Sequence, residues 1–154
     1  MTMPLLILQA RKSASASGIS VGWTNGEATA ITLGMAVYLS GNKTVKKSLQ
    51  AGPYAKACVH GIVGSASIAG GGSTTGLIVT GHGSIIQNVP IGGTLTAGAD
   101  VWLDATAGTL STTQLDPTAA GSVGKFLVRV GTIINYTAGV VADLLFDPSV
   151  PVGL

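Results

Sequence analysis

Few residues in this 154-residue chain are able to do chemistry: His60, His82, the single Cys58, six carboxylates and eight Lys or Arg. Cys58 and His60 stand two apart, so on a strand they would share a face at roughly 6–7 Å, too far for a nucleophile and its base, with no third group to orient the imidazole. The spacing favours a structural cysteine in a sheet. His82 is flanked by Gly81 and Gly83, as an exposed loop histidine would be, and a zinc site needs three or four ligands. The glycine-rich run at 70–76 lacks the Gly-Lys-Ser/Thr ending and the following helix that would hold a phosphate, and reads as a hairpin loop. Asp100, Asp104, Asp116, Asp143 and Asp147 offer carboxylates for glycoside hydrolysis, but nothing sets two of them roughly 5–10 Å apart. The expectation is therefore no catalytic, metal or cofactor site, no cofactor, and no enzyme.

The rest of the composition points the same way. Charged residues are 9% of the chain against roughly 25% in an average soluble domain, and Gly, Ala, Ser and Thr take their place. A net charge of +2 gives little colloidal repulsion, which suits a surface covered by identical subunits or a larger assembly. The basic residues are scattered, without the dense stripe or stacking aromatics that nucleic acid requires. Mean hydropathy is positive, but no apolar run approaches the 18 or so residues needed to span a bilayer. Leu5, Leu6, Ile7 and Leu8 precede Arg11 and Lys12, the reverse of a secretory signal. Neither nucleic acid nor membrane is expected as a partner. One cysteine excludes an intrachain disulfide and fits folding in a reducing cytoplasm.

The elements that must position these residues read as β throughout. Short segments rich in Val, Ile, Leu and Thr, bounded by Gly, Asn, Asp or Pro, predict strands near 28–31, 36–39, 57–63, 76–80, 84–87, 101–103, 125–134 and 140–146. No segment carries a helical stripe. The fold class expected is all-β: a single-domain β-barrel or β-sandwich of short antiparallel strands with an extended N-terminal arm. The division is a flexible arm at 1–25, a β domain at 26–147 and a C-terminal tail at 148–154. Ser and Ala alternate through 13–17, a run too polar and small to bury itself. It links the body to the apolar pentad that ends in Leu5, Leu6, Ile7 and Leu8, candidate contacts with a capsid or a neighbouring subunit. Prolines 148 and 151 deny the tail a continuing strand.

The chain also echoes itself. Ile31, Thr32, Gly34, Val37, Tyr38 and Leu39 recur as Leu95, Thr96, Gly98, Val101, Trp102 and Leu103. Residues 60–63 parallel 130–133, and 76–79 parallel 139–142. Two copies do not make a solenoid; they suggest two similar β halves or a repeated hairpin. Alternation predicts that Val37, Leu39, Val101 and Leu103 face a core, with Tyr38 and Trp102 turned the other way.

The order of these features from Glu27 to Phe146 resembles that of the small capsid cement, or head decoration, proteins of tailed phages. The resemblance rests on Gly34 to Leu39, on Val59, Gly61, Ile62 and Val63, on Gly76 to Val79, on Thr96 to Leu103 and on Val130 to Ile133. It implies a virion structural protein made in the host cytoplasm and carried on the outer capsid surface. The implied partners are the major capsid protein and the chain itself, as a homotrimer. A tail, baseplate or fibre protein is the alternative within the same class. A carbohydrate-binding module is the alternative outside it, and would use Trp102 beside Asp100 and Asp104.

Overall fold

A computed structural model describes residues 19–64, 67–73, 76–137 and 141–154. The chain is all-β. Its described strands are β1 (Ile19–Asn25), β2 (Ile31–Thr32), β3 (Ala36–Gly41), β4 (Thr44–Lys47), β5 (Gly61–Val63), β6 (Ser67–Ile68), β7 (Gly76–Val79), β8 (Ser84–Pro90), β9 (Asp100–Leu103), β10 (Leu110–Ser111), β11 (Phe126–Leu127), β12 (Arg129–Thr137), β13 (Val141–Phe146) and β14 (Val152–Gly153). One helical turn, α1 (Tyr54–Ala57), interrupts them. Pro53 supplies its N-cap in extended geometry, where a missing N–H costs nothing. The strand expected at 57–63 therefore begins only at Gly61.

Strands β1, β4, β3, β5 and β7 close into a barrel in that order. All its pairs are antiparallel except β1 with β4, which run parallel through Thr24↔Thr44 and Asn25↔Val45. Strands β10, β9, β12, β13 and β8 form a second, curled sheet. Matching β1 to β8, β3 to β9, β4 to β10, β5 to β12 and β7 to β13 turns one order into the other. The second sheet even has the parallel seam, reduced to one bridge, Gly92↔Ser111.

The correspondence holds residue by residue. Val37↔Gly61 and Ala36↔Ile62 in the first unit match Val101↔Gly131 and Asp100↔Thr132 in the second. Gly34 N–H donates to Val63 O at 2.9 Å and Gly98 N–H to Ile133 O at 2.7 Å; Val63 N–H donates to Met35 O and Ile133 N–H to Ala99 O. Gly34 and Gly98, at φ +79 and +84, are the third residues of tight turns from Thr32 to Met35 and from Thr96 to Ala99, positions where only a residue free of a Cβ is unstrained. The echo in the sequence is thus a duplicated architecture. Its third member falls three residues out of place: Ile78 pairs with Val63 and Leu144 with Ile133, so 78 corresponds to 144. Residues 139 and 140 of that echo lie outside the described residues.

Two cores result. Trp23, Ile31, Val37, Val45, Val63, Ile68 and Ile78 fill the first barrel. Their strand neighbours Ala36, Ile62 and Val79 point out of it and join Val101, Leu103, Ile133, Leu144 and Phe146 in one cluster that spans both units. This explains the unbroken apolar runs at 61–63 and 76–79: strands buried on both faces lose the polar alternation of a half-exposed sheet. Each fully buried Ile, Leu or Phe contributes roughly 1.5–3 kcal/mol.

Three expectations need correction, and a fourth holds with a difference. β1 occupies the last seven residues of the expected arm, because Ile19 to Trp23 pair with β7 and close the barrel. The expected tail returns to the body: β14 pairs antiparallel with β11 through Leu127↔Val152 and Phe126↔Gly153, since Pro148 and Pro151 lie outside the paired residues. Leu39 is not core; it is half exposed, at 50%, because it stands at the rim of the first barrel. Tyr38 turns away from Val37 as alternation requires, yet it is buried, paired opposite Lys46 on β4.

Candidate functional site

Cys58 and His60 do not form a dyad. Cys58 caps α1, where its Sγ lies 3.5 Å from Tyr54 O, while His60 packs edge-on against Trp23 with ring centroids 5.1 Å apart. Burial pushes the His60 imidazole below its ordinary value, because a charge loses its hydration there. The folded state therefore binds this proton less readily than the unfolded chain. Stability is full above pH 6.5, the ordinary value, and falls as the pH drops below it. Urea titrations between pH 7.5 and 5 are expected to show this loss, and His60→Phe to flatten it.

His60 also lines a hollow of about 370 Å³ with Leu39, Tyr54, Ala55, Cys58 and Val59. Tyr54 in turn meets Phe126 edge-on at 5.6 Å, so the hollow runs toward the β11–β14 pair. A second hollow of about 370 Å³ lies at the seam of the second unit, between Pro90, Ile91, Gly92, Asp104, Thr109 and Leu110. The first is lined by one imidazole, one thiol and one phenol among apolar side chains, the second by a lone carboxylate. Neither assembles a base, a nucleophile and an oxyanion donor.

The aspartates and the buried Asn25 are occupied structurally. Asp100 accepts a 2.6 Å bond from Arg129 Nε, and Asp147 lies 3.8 Å from the same guanidinium and 3.3 Å from His82. Asp143 accepts from Asn88 N–H, and Asp104 from Ala105 N–H and Thr109 Oγ1. Asp116 starts a turn by accepting from Thr118 Oγ1 and Thr118 N–H, which holds its carboxyl below the usual carboxylate range. Asn25, fully buried, donates to Thr29 O and Ile68 O at 2.9 Å and accepts from Glu27 N–H. The glycine-rich loop spends its amides the same way: Gly71 N–H donates to Glu27 O and Gly72 N–H to Asn25 O. Among the described residues no three of His, Cys, Asp and Glu gather as a metal site would require.

What remains is surface. Val123, Val150 and Val152 are 83%, 70% and 57% exposed, and they surround the β11–β14 pair, where Gly124 N–H donates to Leu154 O. Leu39 and Tyr54 lie exposed at the rim of the first barrel, Ile134 and Tyr136 on the β12–β13 hairpin. Trp102 is half-buried on the outward side of β9, opposite Arg129, two residues from Asp100. Leu5, Leu6, Ile7 and Leu8 lie outside the described residues. The register signal that pointed to Trp102 and the paired units was present in the sequence; the valine-rich rim was not, because it is assembled by the return of β14. Comparison with family models and with curated proteins finds no match to this chain.

Proposed function

We propose that this chain is a non-enzymatic virion structural protein, a decoration protein that binds the outer surface of a tailed-phage head and stabilises the junctions between capsid subunits. The observation that carries this reading is where the exposed apolar side chains stand: at the rims and the β11–β14 pair rather than around a pocket with converging polar groups. Such a distribution suits docking onto a broad protein surface. The scarcity of charge supports the same reading. Its partners are the major capsid protein and further copies of itself. Leu5, Leu6, Ile7 and Leu8 add a contact to the capsid or a neighbour at the end of a polar linker.

The test is the copy number of the chain in purified particles by quantitative mass spectrometry, with rebinding of the purified chain to heads that lack it. A number comparable to the capsid protein and saturable rebinding, weakened on removal of residues 1–17, are expected. A handful of copies per particle favours the tail or fibre reading. Absence from particles overturns both.

A further inference from the structure

We propose that Pro90 is a conformational device that joins the two units: by withholding a backbone N–H it keeps the second sheet from closing as the first barrel does, and leaves the Gly108 carbonyl to the first unit. This role is independent of capsid binding and goes beyond it.

The seams of the two units correspond residue by residue. On one side, Trp23↔Gly76 between β1 and β7 matches Val89↔Ala142 between β8 and β13, and the positive φ of Gly22 recurs at Asn88. Thr24 therefore corresponds to Pro90, and Gly26 to Gly92. On the other side, Leu39↔Val45 matches Leu103↔Leu110, so Lys43, at φ +48, corresponds to Gly108, at φ +75. One rung of the seam is shared: Gly26 N–H donates to Val45 O at 2.9 Å and Gly92 N–H to Leu110 O at 2.8 Å. The rung before it is not. Thr24 N–H donates to Lys43 O at 2.8 Å, whereas Pro90 has no N–H to give to Gly108 O.

The first unit supplies the donor instead. Ala36 N–H donates to Gly108 O and Gly108 N–H to Ser48 O, both at 2.8 Å, while Ser48 N–H donates to Ala36 O at 2.9 Å. These three bonds form a closed cycle across the units. Ala36 and Ser48 are fully buried, where an unpaired backbone group is costly.

The pyrrolidine ring is seated beside this cycle. A Cβ on Gly34 would lie 2.7 Å from Pro90 Cδ, while one on its counterpart Gly98 would meet nothing within 4 Å. Gly34 thus has a second reason to lack a side chain, and that reason is Pro90. Gly108 is crowded by the same joint, since its Cβ would lie 3.3 Å from both Ala36 O and Lys47 Cβ. An N–H at position 90 would compete with Ala36 for one carbonyl. Closure of the second sheet and docking of the units are therefore alternatives, and Pro90 selects docking.

NMR of the isotope-labelled full chain tests this, because scalar coupling through a hydrogen bond identifies both donor and acceptor. The wild type is expected to show coupling from the Ala36 amide nitrogen to the Gly108 carbonyl carbon. In Pro90→Thr, which restores the residue type of the first seam, and in Pro90→Ala, the new amide at position 90 is expected to couple to that carbonyl. The Ala36 amide then exchanges with solvent ~10-fold faster or more, while the Gly34 and Val63 amides, bonded within the first unit, keep their wild-type rates. A wild type without the Ala36 coupling overturns the proposal. So do variants in which the Gly108 carbonyl stays with Ala36, or accepts from both amides while Ala36 exchanges as in the wild type. Failure of both variants to fold overturns it too, because a seam like the first unit's must tolerate an N–H at this position.

Discussion

Gly131→Ala is expected to destabilise the protein by about 3 kcal/mol or more, lowering its melting temperature by about 6–12 °C. At this position a Cβ would overlap the carbonyl oxygen of Leu145 and come within 2.9 Å of Leu144 Cδ1. The obstacle on one side is backbone, which cannot swing away as a side chain end would. β12 would have to separate from β13, and Gly131↔Phe146, Thr132↔Leu145 and Ile133↔Leu144 would all be disturbed. The same close approach recurs at Gly61, the counterpart in the first unit, where a Cβ would overlap Ile78 Cγ2 and lie 2.7 Å from Val79 O. Gly61→Ala is expected to behave alike. Gly121 is the control, for its Cβ would meet nothing within 4 Å and its φ is not positive; alanine there changes stability by less than about 0.5 kcal/mol or raises it slightly. Thermal and urea denaturation of the three variants decide the matter. If Gly131→Ala matched Gly121→Ala, the tight approach of β12 to β13 would be wrong.

Those two glycines also show what the sequence made legible. The repeated pairing of an aliphatic turn, Gly34 or Gly98, with a Val-aromatic-Leu strand is local, and both copies fold as β3 and β9. The parallel between 60–63 and 130–133 is local too, and it lands in register on β5 and β12. The echo at 76–79 failed because it matched glycine to glycine, while the true alignment is set by Val63↔Ile78 and Ile133↔Leu144, the latter just before a bulge between Ile133 and Asn135. Gly22 and Asn88 mark a second such irregularity, at φ +74 and +57 in β1 and β8; these strands share no sequence pattern, so their equivalence is visible only in three dimensions. The ends misled for a related reason. β1 and β14 are held by distant partners, Gly76–Val79 and Phe126–Leu127, and no composition window contains both sides of such a pair. The candidate surface was legible only in part, since rim exposure depends on which unit ends uncovered.

Leu103→Ala and Leu39→Ala isolate that last effect. The two leucines occupy equivalent places, each ending the Val-aromatic-Leu strand of its unit, and a rule of alternation assigns both to the core. Leu103 is 1% exposed, sealed where the second unit seats on the first, whereas Leu39 is 50% exposed on a rim that nothing in the described chain covers. Truncating Leu103 removes buried apolar area and leaves a cavity in the cluster that joins the units, at a cost of about 3 kcal/mol. Truncating Leu39 in dilute monomer removes a side chain that water already half surrounds, at a cost within about 0.5 kcal/mol. Denaturation at low protein concentration measures the difference directly. Equal costs at the two positions in dilute solution would mean that the first rim is sealed by the chain's own residues.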